Sequence, residues 1–194
     1  MCHDEYRDSI VLRRCKQMSW PTEDDLKMLG DMPKEKLLDL LFLHIKNLWR
    51  VDGLYFLGIE EKFGTAAATK IDSDCWKIMG KLEARELKEA LAMKEDDVAA
   101  LIETLRYTSW ALYQTEKESE TSATRGAFRV TRCRTQEARI GKDLSEFPCK
   151  LVRFGYLQGF AKEFNPKIEV LCRVCPPDKH ANGIWCEWEF TLRK

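Results

Sequence analysis

The hydrophobic period of this chain changes once, near Tyr107. From Lys34 to about Gly64 the residues Leu37, Leu38, Leu41, Phe42, Ile45, Leu48 and Trp49 recur at helical spacing. Beyond Tyr107 the segments SWALYQTEKE and RGAFRVTRCR alternate apolar and polar residues on either side of a polar bend, Glu118 to Gly126. That order predicts an α+β fold in which N-terminal helices are followed by antiparallel hairpins with intervening helices. Three regions are expected: a loosely ordered segment over 1–31, a helical region over 32–107, and an α+β metal-binding region over 108–194 packed with it as one globular unit.

Local signals refine the layout. TEDDLKMLGD reads as a short helix capped by Thr22. The long helix from Lys34 has a candidate kink at Asp52-Gly53 and a stop at Gly64. A second helix is expected from Thr65 to Met93, with a break near Asp72 to Asp74 where Ser and Asp compete for backbone hydrogen bonds. EDDVAALIETLRY makes a third, with acids in its first turn. QEARIGKDL reads as a short helix, and LVRFGYLQGFAKEF places Leu151, Phe154, Leu157, Phe160 and Phe164 on one helical face. KIEVLCRV and IWCEWEFTL close the chain as strands.

Composition excludes several functions. With 194 residues, 44% of them hydrophobic, the chain can bury one substantial core. Its 32 basic residues balance 32 acidic ones, so no global field draws it to nucleic acid or an acidic membrane surface. The longest apolar runs, such as LLDLLFLHI, fall well short of the roughly 20 residues a membrane helix needs. The start, MCHDEYRDSIVLRRCKQM, lacks the apolar core of a secretory signal, which points to a cytoplasmic protein. Dinucleotide, phosphate-loop, nucleophile-elbow and His-Glu-x-x-His motifs are absent from the sequence.

Chemistry concentrates in the last third. Cys149, Cys172, Cys175 and Cys186 fall there, with Glu169 and His180 among them. Such thiols are metal ligands, disulfide or redox partners, or small buried hydrophobes, and a reducing compartment favours metal over disulfides. Cys172-x2-Cys175 presets one side of a tetrahedral site, and the closing hairpin returns Cys186 beside it. Cys149 stands just before a helix, where the thiolate form is favoured. Zinc is the expected ion; four thiolates also suit an iron-sulfur cluster.

The run FPCKLVRFGYLQGFAKEFNPKIEVLCRVCPPDKHANGIWCEWEF resembles the closing segment of the vinyl-4-reductase domain. In that family a Cys precedes a Gly-Tyr-x-x-Gly-Phe helix, a strand carries Glu-x-x-Cys, and a final Cys leads into an aromatic strand. The resemblance implies a small-molecule-sensing fold with zinc held by Cys149, Glu169, Cys172 and Cys186. Cys175 is extra to the pattern and is the alternative fourth ligand. A longer stretch, from NLWRVDGLYFLGIEEKFG through RCRTQEAR to WCEWEF, is similar to an uncharacterised prokaryotic family distantly related to 2-amino-thiazoline-4-carboxylate hydrolase-like proteins.

Individual residues carry the remaining expectations. In a regular strand Glu169 and Cys172 point to opposite faces, so joint ligation needs a bulge. His180 sits in a polar loop, and His44 reads as a partly buried helix residue. Trp49, Asp52, Tyr55 and Phe56, with Gln136, Arg139 and Tyr156, are the candidate pocket residues, and Glu137 is the candidate general base near a metal-bound water. Trp185 and Trp188 on the last strand hint at an edge covered by a second copy, a homodimer. Together these predict a protein that binds a small hydrophobic or aromatic molecule in an apolar pocket beside a structural zinc, with neither nucleic acid nor membrane as partner. The alternatives are a metal- or thiol-dependent hydrolase of a small heterocycle, or an iron-sulfur protein.

Overall fold

The structure, a computed structural model, describes residues 20–180 and 183–193. The expectation of a loose N-terminal segment falls largely on residues outside that range. The chain divides into two compact units, one ending at His44 and the other running from Ile45. In the first, helix α1 (Glu23–Gly30) begins with a capping box: Thr22 Oγ1 accepts from the Asp25 backbone N–H, and the Asp25 carboxylate accepts from the Thr22 N–H. Helix α2 (Lys34–Phe63) starts in this unit and runs without interruption into the second. His44 is exposed.

Helix α2 continues through Asp52-Gly53, with the Asp52 side chain engaged outside the helix. That side chain accepts the indole N–H of Trp76 at 3.0 Å. Gly64, at φ +83°, makes the reversal into α3 (Thr65–Ala90), a conformation glycine adopts without strain. Helix α3 does not break at Asp72 to Asp74: Asp74 pairs in solvent with Lys70, and Asp72 faces inward. Helix α4 (Val98–Leu105) starts three residues later than the acidic run suggested, with Asp97 as its cap accepting from the Ala100 N–H at 2.9 Å.

The stretch SWALY is not the first half of a hairpin strand. It forms helix α5 (Ser109–Tyr113), capped by the buried Thr108 hydroxyl, which accepts from the Ala111 N–H at 3.1 Å. The hairpin is shorter than expected, β1 (Glu116–Thr121) with β2 (Arg125–Arg132). Helix α6 (Arg134–Ile140), helix α7 (Cys149–Phe164), β3 (Ile168–Val174) and β4 (Cys186–Leu192) complete the chain. Seven helices and one four-stranded sheet are thus present among the described residues, an α+β fold. None of these helices is long and apolar enough to cross a membrane.

The sheet is antiparallel throughout, in the order β1-β2-β4-β3. Phe128, Val130, Cys186, Trp188 and Phe190 share its buried face, and Cys172 lies opposite Trp188 on the same side. The other face carries paired charges, Arg129 with Glu187 and Glu120, and Arg173 with Glu189. Because β4 is an interior strand and Trp188 is fully buried, the aromatic edge invoked for a homodimer does not exist.

Helix α7 lies against both α3 and β3. Of the apolar stripe expected on it, Leu157, Phe160 and Phe164 are buried, Phe154 is half-buried and Leu151 is exposed, and burial extends beyond the stripe to Val152, Arg153 and Tyr156. A helix covered on two sides has no single apolar face, so one stripe drawn from its sequence captures only part of the buried surface.

Candidate ligand cavity and thiol cluster

A cavity of about 260 Å³ opens within the second unit between α2, α3, α6 and the start of α7. Its walls are aromatic. Tyr113, Trp49 and Trp76 stack in series, at 5.4 Å and 4.8 Å between ring centroids. Trp110, Phe56 and Phe147 complete the lining. The stack is held by polar ends that find partners: Trp49 Nε1 donates to the Ser109 carbonyl at 3.1 Å, and Trp76 Nε1 to Asp52.

Arg153 stands among these rings, one turn after Cys149 on α7, and is only 3% exposed. Its guanidinium lies 4.5 Å from the Trp110 ring centroid, 4.8 Å from Tyr156, 5.5 Å from Trp76 and 5.6 Å from Trp49. Nε and Nη1 are buried without a hydrogen-bond partner, and the ring faces compensate part of this charge. Two carboxylates share the surroundings. Burial raises the pKa of Asp52, against the Trp76 N–H and Arg153. Burial, then repulsion from Asp52, pushes Asp72 from 3.8 up to about 7, and its Oδ2 is buried without a partner.

The pocket candidates divide. Trp49, Asp52, Phe56 and Arg139 line the cavity, whereas Tyr55 is 72% exposed and lies outside it. Gln136 is buried next to the wall and clamps Phe147, donating to its carbonyl at 2.9 Å and accepting its N–H at 2.8 Å. Tyr156 sits behind Arg153 and donates to Glu83 at 2.7 Å. The donors of Arg139 are committed to Glu60 and the Ser145 carbonyl. Glu137 pairs with Arg132 on the surface, at 2.7 Å, and does not line the cavity. Successive residues on a short helix face different ways, and only Thr135, Ala138 and Arg139 of α6 reach the cavity wall.

The cysteines gather at the inner end of α7. The Cys175 thiol hydrogen-bonds to Cys149 and to Cys186, and Cys172 lies near both of the latter. Hydrogen bonding from Cys175, aided by Arg153, holds the Cys149 thiol down at about 7. The same contacts, with burial, drive Cys175 well above the usual thiol range. Burial raises Cys172 to about 11 and Cys133 to about 12. Cys149 itself lines the cavity. The turn after Cys175 is tied to α7 by the Lys150 N–H to the Pro176 carbonyl, at 2.9 Å, and by the Lys150–Asp178 ion pair.

Glu169 is not part of this cluster. It occupies the outer face of β3 and pairs with Arg193. The irregularity in β3 falls between Cys172 and Val174, after Glu169, so it does not bring the two side chains to one face. His180 packs on the Trp185 ring and faces Glu146 at 3.4 Å. Among the described residues no three His, Cys, Asp or Glu side chains stand in metal-ligating geometry.

Arg153 and Asp72 escaped the sequence reading. One signal for Arg153 was available: a cation set in the middle of LVRFGYL, with Cys149, Tyr156 and Leu157 at three of its four helical neighbours. Asp72 carries no comparable signal, since nothing local separates it from the solvated Asp74.

An α+β chain whose second unit encloses an aromatic, arginine-bearing cavity is the class these features define. The chain matches, over residues 30–192, the family described as "Family of unknown function (DUF6125)", and it belongs to that family. No curated protein matches it.

Proposed function

We propose that this protein binds a small molecule with an aromatic or apolar body in the Arg153 cavity. Arg153 carries the proposal: a buried cation with two unpartnered nitrogens is costly to the fold, and here it is kept inside a ring-lined space open to solvent. Ala138 offers a direct test, because it lines the cavity yet is exposed. A panel of aromatic compounds is expected to raise the melting temperature of the wild type by a few degrees at about 100-fold excess over Kd. Ala138→Trp, which blocks the opening, should remove that response while leaving the unliganded melting temperature within about 1 °C. A panel without a single stabilising compound would sink the proposal.

The thiol cluster supports a second element, a structural zinc. The resemblance-derived set of three cysteines and Glu169 does not fit, since Glu169 faces away. Cys149, Cys175 and Cys186, with Cys172 near them, are sulfur ligands of the kind zinc accepts, and binding would draw them from their present spacing into a tetrahedron. Ligation would displace the protons now shared between these thiols, and the ion would reinforce the tie between the β3–β4 turn and α7. Plasma mass spectrometry should find about one zinc per chain, lost in Cys175→Ser and retained in Glu169→Gln. Retention in the first variant and loss in the second would restore the Glu169 set; iron in place of zinc would mean a cluster.

A thiol-dependent hydrolase is the competing reading, favoured by Cys149 at the cavity wall with its thiol near 7. The two uses exclude one another at the same sulfur. Zinc protects Cys149 from alkylation, whereas a free nucleophile reacts with iodoacetamide with a rate that rises through about pH 7.

A further inference from the structure

The cavity carries a charge imbalance that its aromatic walls do not explain. Lys46, Arg50, Arg139, Lys142 and Arg153 line it against only two acids, Asp52 and Asp72. The whole chain has 32 basic and 32 acidic residues, so this is a local excess. Two of the five cations are compensated. Arg139 is paired to Glu60, and Arg153 lies against Asp52 and Asp72 within its rings.

Lys46, Arg50 and Lys142 remain, and all three are exposed at the opening. Lys46 and Lys142 have no ion-pair or hydrogen-bond partner among the described residues, and Arg50 donates only to the neutral Asn47 side chain, at 3.0 Å. Lys46 and Arg50 are one turn apart on α2, a mutually repulsive spacing that helices otherwise relieve with an acid. Inside the rim the environment differs. Asp52 and Asp72 stand together near Arg153 there, so the deep positive charge already faces two acids, whereas the rim cations face none.

We infer that the ligand is a small organic anion, a flat aromatic body bearing a carboxylate or sulfonate, seated with its body against Trp49 and Trp76 and its charged group at the rim formed by Lys46, Arg50 and Lys142. This rests on the cavity proposal above and adds to it the sign and position of the ligand's charge. Long, partly exposed cations suit that task. They accelerate capture of an anion by steering and hold it through contacts that salt weakens.

The test uses the full chain and two probes of nearly equal shape, 2-naphthoate and 2-naphthamide, followed by quenching of tryptophan fluorescence, since Trp49, Trp76 and Trp110 line the cavity. Each exposed pair contributes up to about fivefold, so naphthoate should bind on the order of tenfold more tightly than naphthamide at low salt. The ratio should fall by about threefold in Lys46→Gln/Lys142→Gln, which leaves Arg50, and to about one in 1 M salt, where the screening length is about 3 Å. Both lysines are exposed, so the double variant keeps its fold. Naphthamide binding as well as naphthoate, or a ratio unchanged in the double variant, would overturn the rim anion site and leave the cavity standing. Binding of neither probe would remove both.

Discussion

Gly80→Ala is expected to destabilise the protein by about 3 kcal/mol, lowering the melting temperature by roughly 6–12 °C. The reason is where α3 meets α7. A methyl built on Gly80 collides with the carbonyl oxygen of Tyr156 and lies 2.9 Å from its carbonyl carbon. These are backbone atoms inside a helix, and they cannot swing aside. Gly159, on the opposing helix, is nearly as tight, with a methyl 2.9 Å from the Lys77 carbonyl oxygen. The strain would fall on Tyr156, which also supports Arg153 and the cavity floor.

Gly58→Ala is the control. Gly58 is also a helix-interior glycine, but nothing lies within 4 Å of a methyl there. Alanine gains up to about 1 kcal/mol over glycine in helix propensity at either position, so Gly58→Ala should stabilise modestly while Gly80→Ala destabilises. Chemical denaturation of the two variants beside the wild type reads the difference. Equal effects would mean that α3 and α7 do not approach as closely as described.

The second large effect is a pH-dependent gain in Asp72→Asn. Asp72 titrates near 7 in the folded protein and near 3.8 when unperturbed, so the folded state holds this proton the more tightly. Between about pH 4 and pH 7 the folded state therefore carries more protons than the unfolded chain, and stability falls as pH rises. Above pH 7 both states are ionised and the loss is complete. The shift corresponds to about 4 kcal/mol as an upper bound, and partial exposure of the group reduces this to about 2 kcal/mol. Asp72→Asn should thus be more stable than the wild type by about 2 kcal/mol at pH 8, with the gain shrinking as pH falls through 7 towards 4. A variant less stable than the wild type at pH 8 would show instead that the Asp72 carboxylate is needed by Arg153.

Both effects arise at positions where local sequence and tertiary environment disagree. Ser and Asp around position 72 argued for a helix break, but α3 runs through because Asp74 is solvated beside Lys70 and Asp72 turns into the cavity. Likewise SWALY alternates as a strand would, yet the Thr108 cap and the burial of Trp110 and Ala111 make it a helix. Over five residues, alternation and helical spacing cannot be told apart. For the cysteines, proximity was legible from the hairpin, since Cys172, Cys175 and Cys186 close over a short loop. Their partners were not. Strand alternation put Glu169 on the solvent side with Arg193, and Cys175, beyond the end of β3, reached both Cys149 and Cys186.

What the amino-acid order determined alone is local: the helical period up to Tyr107, the cap at Thr22, the antiparallel hairpins after it, and the gathering of thiols near one end of α7. These depend on interactions a few residues apart, where spacing and side-chain type suffice. The cavity was decided by the tertiary structure. Its Trp49–Trp76 stack, the Arg153 charge within it, the raised Asp72 and the unmatched cations at its rim join residues from distant parts of the chain or set the dielectric around them. Burial and distance set those energies, and both exist only once the helices have packed.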